Sequence, residues 1–256
     1  VPTMLSQEQM RQYEEQGYVI FERLFDEREI DEARARIDVI AEEHNRRLAE
    51  GPGVERISRA NEITFTANLV MREPYLLEFC AKPKLVDILT KLIGPDVALY
   101  WDQSVYKRPE TPRDFPWHQD NGYGMNFKDP YVTCWIALED ATIENGCVWV
   151  IPGSHKQGIV EHVRTPIGLQ CYFGDDPGVP VPLKRGSMLA FSSLLFHRSG
   201  PNLSDTTRKA YILQYFKTGT VNELTGEPFK KVVVAKDGKP HLDATHLAYQ
   251  NHKAAG

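Results

Sequence analysis

Phe115-Pro116-Trp117-His118-Gln119-Asp120 reads as the start of a strand that carries a histidine and a carboxylate two residues apart. Successive side chains on a strand point to opposite faces, so this reading aims His118 and Asp120 the same way. One neutral imidazole and one carboxylate on a face are two of the three donors of a facial triad. That set suits a non-haem Fe(II) centre with open coordination positions. The strand offers only two such side chains, so the third must come from elsewhere in the chain. His197, at the end of the apolar run 188–196, is the best candidate. A histidine and an acid at this spacing also arise by chance, and the surrounding chain decides what they mean.

Working outward, the pattern from Val97 to about residue 220 is one of short apolar runs separated by turn residues. Runs at 97–107, 117–120, 131–138, 147–151, 159–163, 187–192, 195–198 and 209–217 predict about eight strands. Such a series fits a double-sheet jelly roll or a similar sandwich. The N-terminal part is helical instead. Ser6 and Gln9 have capping-box spacing and open a helix that stops at Gly17, followed by a strand at 18–21. Asp26 and Glu29 repeat the cap and open a long helix to about Glu50, with Ile30, Ala33, Ile37, Ala41, His44 and Leu48 on one face. Two short helices are predicted near 75–80 and 84–93. Residues 54–72 show no period and read as a loop over a site. The stretch 164–181, with Gly168, Gly174, Pro177, Gly178 and Pro180, reads as a mobile lid. The whole is expected to be one domain: a helical support region at 1–96, a β core at 97–220, and a C-terminal segment at 221–256 with one strand-like run at 232–234.

Composition narrows the function. A chain of 256 residues with a formal net charge of −5 and no long Lys/Arg block offers little to nucleic acid or to an anionic membrane. No apolar run approaches the ~18 residues of a spanning helix, and no signal-peptide pattern is present. Cys80, Cys134, Cys147 and Cys171 are scattered without a CxxC pair, which suggests free thiols in a reducing compartment. The expectation is a soluble cytoplasmic protein with a small-molecule substrate.

Arg208 begins the strand after the turn 201–205, and strand–turn–strand brings it back beside His197. It shares its parity with Ala210, Ile212 and Gln214, an inward face, where a buried charge needs a partner. Either a ligand carboxylate gripped by the guanidinium fork or an acid elsewhere in the chain would serve. Lys107 shares a face with Trp101, Gln103 and Val105, and either adds a second cation near that ligand or ends in water. Trp135, aligned with Tyr131 and Thr133, walls a cofactor pocket or packs in the core.

Together with Trp117-His118-Gln119-Asp120, the segments Cys134-Trp135-Ile136-Ala137-Leu138-Glu139-Asp140-Ala141-Thr142 and Glu144-Asn145-Gly146-Cys147-Val148-Trp149-Val150-Ile151-Pro152-Gly153-Ser154-His155 resemble the phytanoyl-CoA dioxygenase (PhyH-like) family. His197 followed eleven residues later by Arg208 matches as well, and the resemblance spans roughly residues 7–217. It implies a double-stranded β-helix (jelly roll, cupin-like) core and an oxygenase using Fe(II), 2-oxoglutarate and O2. His118, Asp120 and His197 would ligate iron, and Arg208 and Ser199 would hold the distal carboxylate of 2-oxoglutarate. Lys107, Trp135 and Gln103 match further cosubstrate contacts. Asp120 argues for hydroxylation or a related oxidation, because related halogenases carry a small residue there. His155 falls on a structural turn in this pattern, with Gly146 and Gly153 as turn glycines. Asn121, Tyr123, Met125 and Phe127 follow the first two ligands and are candidate substrate-pocket residues. A jelly-roll binding protein with a vestigial metal site, or a cupin-type metal-dependent isomerase, are the competing readings.

Overall fold

The computed structural model describes residues 5–109, 111–123, 129–223, 225–227 and 232–245. Helix α1 (Gln7–Gln16) starts on the expected capping box, with Ser6 and Gln9 bonding each other's backbone N–H, and ends at Gly17 with φ 85°. Strand β1 (Tyr18–Phe21) follows, then α2 (Glu27–Glu50), capped by Asp26 and Glu29 in the same reciprocal way. The two short helices are α3 (Pro74–Phe79) and α4 (Pro83–Leu92), each with proline in its first turn, where a missing N–H costs nothing.

The stretch 54–72 is not the loop its lack of period suggests. It holds β2 (Val54–Glu55), β3 (Ser58–Arg59) and β4 (Ile63–Ala67), and β4 pairs along β5 (Val97–Lys107) from Ile63 opposite Lys107 to Ala67 opposite Gln103. Its threonines carry the polarity that hid the strand. Then come β6 (Phe115–His118), the single helical turn α5 (Asp120–Tyr123), β7 (Val132–Ala137) and β8 (Val148–Val150). The expected strand at 159–163 is absent. The stretch read as a lid, 164–181, carries short strands of its own: a hairpin of β9 (Val163–Thr165) and β10 (Gly168–Gln170), followed by β11 (Val179–Val181). Strands β12 (Met188–Ser192), β13 (His197–Ser199), β14 (Arg208–Lys217), β15 (Val232–Lys236) and β16 (Lys239–Asp243) complete the chain.

Two antiparallel sheets face each other. The larger runs β1-β12-β7-β14-β5-β4-β3-β2, with β15 also on β5 and β16 on β15; the smaller runs β11-β8-β13-β6. The larger sheet thus takes strands from before residue 97 and after residue 220, across the boundaries expected for the core. Alternation along its central strand shows how it is used. Tyr211, Leu213 and Tyr215 of β14 pack in one cluster with Ile30, Ile37, Leu76 and Leu85 of the helices, while Ala210 and Ile212 face a second cluster between the sheets. Burial on both faces explains why β7 is buried at all six positions. A bulge at Tyr100, between the Gln214–Trp101 and Tyr215–Leu99 pairs, switches the parity of β5 near one end. No helix among the described residues is long and apolar enough to cross a membrane.

The Asn145-Gly146 turn joins the end of β7 to β8. Thr142 and Asn145 side chains each accept the other's backbone N–H, at 3.1 and 2.8 Å. Gly146 has φ 90°, and a Cβ there would lie 2.6 Å from the Gly200 carbonyl oxygen and 3.1 Å from the Lys107 side chain. The left-handed conformation costs an L-residue roughly 1–2 kcal/mol before any clash. Gly146→Ala is therefore expected to destabilise the protein by about 2 kcal/mol or more, lowering the melting temperature by at least about 4 °C. An unchanged melting curve would mean that the turn does not pack against Gly200 as described.

Candidate metal centre and anion site

Strands β6 and β13 are antiparallel neighbours in which His118 and His197 stand directly opposite each other. Their rings are 4.1 Å apart, both 7 % exposed. Each Nδ1 lies on the carbonyl oxygen two residues earlier, Pro116 at 2.8 Å and Leu195 at 3.0 Å. A carbonyl only accepts, so each Nδ1 carries a proton and each Nε2 is the ring atom left to face a metal. Burial, helped by the neighbouring His197, pushes the His118 pKa down to about 4, which keeps that imidazole neutral at physiological pH.

Asp120 meets the two Nε2 atoms through Oδ1, 3.6 Å from His118 and 3.3 Å from His197. Burial works to raise its pKa, but His197 and His118 outweigh that and leave the carboxyl well below the usual range. The convergence does not come from strand parity as the sequence suggests. Strand β6 ends at His118, and Asp120 opens the turn α5. Between them Gln119 is fully buried and ties down the corner. Its side-chain amide donates to the Gly158 and Leu194 carbonyls, both at 2.8 Å, and accepts from the Val160 N–H at 3.0 Å. Its backbone N–H donates to His162 Nε2 at 3.0 Å. Two further residues that the sequence did not single out hold the second carboxylate oxygen. Thr133 Oγ1 donates to Asp120 Oδ2 at 2.5 Å, and Gln214 Nε2 donates to it at 3.0 Å.

The donor atoms of His118, Asp120 and His197 all lie within 4.8 Å of one another, the one such cluster of three or more among the described residues. Two imidazole nitrogens and one carboxylate, brought close together, are a donor set a divalent iron ion fits. His155 takes no part. It sits on a short turn at 154–157, with Nε2 on the Glu14 carbonyl and its ring against Gly17. His44 rests on Thr66, and His162 braces the Gln119 corner.

An open cavity between the sheets joins this cluster to Arg208. Its walls include Phe65, Gln103, Thr133, Trp135, Phe191, Ser199, Ile212 and Gln214. Arg208 is 1 % exposed and its guanidinium lies 5.2 Å from the Trp135 ring centroid. Its Nε finds no acceptor, and among the described residues no carboxylate pairs it. Burial lowers its pKa to about 10, still far above neutrality, so it remains a cation. A buried, unpaired guanidinium at the wall of a cavity calls for an anion in the cavity. The alternative of an acid elsewhere in the chain finds no candidate among the described residues.

Lys107 stands opposite Arg208 in the β14–β5 pairing but does not line this cavity. Its ammonium is turned to the Ser199 hydroxyl at 2.9 Å and to the carbonyls of Ser199, Gly200 and Arg113. Parity gave the right face, and the nearby carbonyls then captured the side chain. Burial, and next the charge of Arg208, lower its pKa well below the ordinary value. Gln103 and Trp135 do line the cavity, with the Gln103 side-chain Oε1 accepting from the Trp101 indole at 3.1 Å. Asn121 donates its backbone N–H to the Ser193 carbonyl, and Tyr123 stands edge-on to the His118 ring at 5.4 Å; neither lines the cavity. Met125 and Phe127 lie outside the described residues.

Residues 13–210 match the family described as phytanoyl-CoA dioxygenase (PhyH). A probable phytanoyl-CoA dioxygenase of Caenorhabditis elegans is 28 % identical over 236 residues, 83 % of this chain and 76 % of that protein. Phytanoyl-CoA dioxygenase domain-containing protein 1 of Danio rerio is 34 % identical over 152 residues, 54 % of this chain. That alignment covers 52 % of the zebrafish protein, so the chain spans about half the length of some relatives it matches. Among solved structures, the non-haem α-ketoglutarate-dependent carbocyclase SnoK from nogalamycin biosynthesis superposes with a TM-score of 0.69 at 25 % identity, covering 88 % of this chain and 94 % of SnoK. The non-haem monooxygenase ThoJ shares the fold, with a TM-score of 0.74 at 20 % identity over 96 % of this chain and 94 % of its own. The chain belongs to the phytanoyl-CoA dioxygenase (PhyH) family of iron- and 2-oxoglutarate-dependent oxygenases.

Proposed function

We propose that this chain is an Fe(II)- and 2-oxoglutarate-dependent dioxygenase that hydroxylates, or similarly oxidises, a C–H bond of a small molecule. The observation that carries this reading is the pairing of a two-histidine, one-carboxylate cluster with an unpaired buried guanidinium across one cavity. In this reading His118, Asp120 and His197 hold the iron. Arg208 grips the distal carboxylate of 2-oxoglutarate, and the Ser199 hydroxyl, which accepts from Lys107, is free to donate its own proton to the same carboxylate. Iron, 2-oxoglutarate and O2, when bound, supply the oxidising chemistry and release succinate and CO2. The chain supplies orientation and shielding. Phe115, Val148, Trp135, Phe191 and Ile212 give the cavity an apolar lining that limits water and strengthens charge interactions inside it.

A vestigial binding protein would have no use for a dry cation aimed at a cavity, and a metal-dependent isomerase would not need a 2-oxo acid. Arg208 weighs against both. Gln103 contributes polar contact beside the cosubstrate, and Asn121 and Tyr123 shape the turn from which a substrate is approached. The four free cysteines suit a reducing compartment such as the cytoplasm.

Anaerobic addition of Fe(II) and 2-oxoglutarate should give the weak visible charge-transfer band of an iron-bound 2-oxo acid. His197→Ala is expected to lose that band, while His155→Ala keeps it with near wild-type iron affinity. Equal loss in both variants would reject the donor assignment. Arg208→Lys keeps the charge and loses the planar fork, so two parallel bonds become a point contact. A charge-assisted bond is worth about 1.5–3 kcal/mol, so the KM for 2-oxoglutarate should rise roughly tenfold to a hundredfold with little change in iron affinity. A short 2-oxo acid without the distal carboxylate is expected to behave alike in wild type and variant. An unchanged 2-oxoglutarate KM would remove Arg208 from the cosubstrate site.

A further inference from the structure

We propose that Thr133 and Gln214 form a positioning pair that holds the Asp120 carboxylate monodentate, occupying one oxygen so that only the other faces a metal. This rests on the metal reading above. The two residues stand directly opposite each other on β7 and β14, 1 % and 7 % exposed. Both lie on the face that lines the cavity, where their strand neighbours Trp135 and Ile212 are apolar. A hydroxyl and an amide placed there are costly unless their hydrogen bonds are made.

The directions of those bonds give the pair its function. Gln214 Nε2 donates to Thr133 Oγ1 at 3.3 Å and to Asp120 Oδ2 at 3.0 Å. Because Thr133 accepts from Gln214, its own proton is left for Asp120 Oδ2, 2.5 Å away. Oδ2 therefore receives two donors, while Oδ1 faces the Nε2 atoms of both histidines. Turning the carboxylate to offer both oxygens to a metal would break both bonds in a buried site. The pair thus keeps free a coordination position that a bidentate carboxylate would take, and the cosubstrates need that position. It also fixes the carboxylate before any metal arrives.

The test is Co(II) titration of the metal-free protein, followed by visible absorption, alongside thermal melting of the same samples. Loss of an outer partner of a ligand typically weakens metal affinity tenfold to a hundredfold. Thr133→Val and Gln214→Met are each expected to raise the Co(II) Kd by about that factor while still melting cooperatively. Thr133→Ser, which keeps the hydroxyl, should stay within about threefold of wild type. Wild-type affinity in both Thr133→Val and Gln214→Met would overturn the pair, as would a Thr133→Ser variant as weak as Thr133→Val. Should Thr133→Val fail to fold, the Kd of Gln214→Met decides by itself. Normal wild-type binding with unaltered variants rejects the pair only, whereas no Co(II) uptake by the wild type rejects the metal reading and the pair with it.

Discussion

The register of one short strand pair carries the rest of the site. Strands β6 and β13 have only four and three residues, yet they put His118 directly across from His197. Side chains alternate along a strand, so a slip of one residue on either side would send one imidazole to the other face. The same short segments also supply the Pro116 and Leu195 carbonyls that set both ring tautomers. Neighbouring β8 pairs with the other edge of β13, so the register is held from two sides. From the larger sheet, Thr133 and Gln214 reach the carboxylate that meets these imidazoles, and Arg208 lines the same cavity.

The two buried cations show how backbone geometry divides labour between residues of like charge. Lys107 and Arg208 face each other across the β14–β5 pairing and cannot share an anion on equal terms. Ammonium is a compact donor that a few carbonyls can satisfy, and Lys107 meets several where the chain turns through Ser199 and Gly200. The guanidinium of Arg208 is larger and planar, lies against Trp135, and finds no such nest. One cation is thereby held by the fold's own carbonyls, and the other keeps a donor without an acceptor at the wall of the cavity. Gly146 is part of this division, since its missing side chain lets Gly200 and Lys107 approach.

Much of this was legible in the sequence where the signal is local. Capping boxes at Ser6 and Asp26 marked both N-terminal helices, because the bonds they make lie within four residues. Strand parity marked the inward faces of 101–107, 131–137 and 208–214, and with them Gln103, Trp135 and Arg208. What stayed hidden depends on partners distant in the chain. Strand β4 exists because β5 offers it an edge, and β3 and β2 then add in turn, not because their own pattern repeats. Asp120 was found for an incomplete reason, since the chain bends into a helical turn after His118. Thr133 and Gln214 were on the right faces, but their meeting requires knowing that β7 and β14 are neighbours, which nothing local states.

The buried Gln119 has a consequence for anyone who would move this site elsewhere. A histidine and an aspartate separated by one residue invite treatment as a portable three-residue cassette with a free middle letter. Here the middle letter makes three side-chain hydrogen bonds to segments at 158–160 and 194, and its backbone makes a fourth to His162. Grafted onto a host without those segments, the same three letters would keep their spelling and lose the bend between them. The transplantable unit is the corner together with the two loops that grip it.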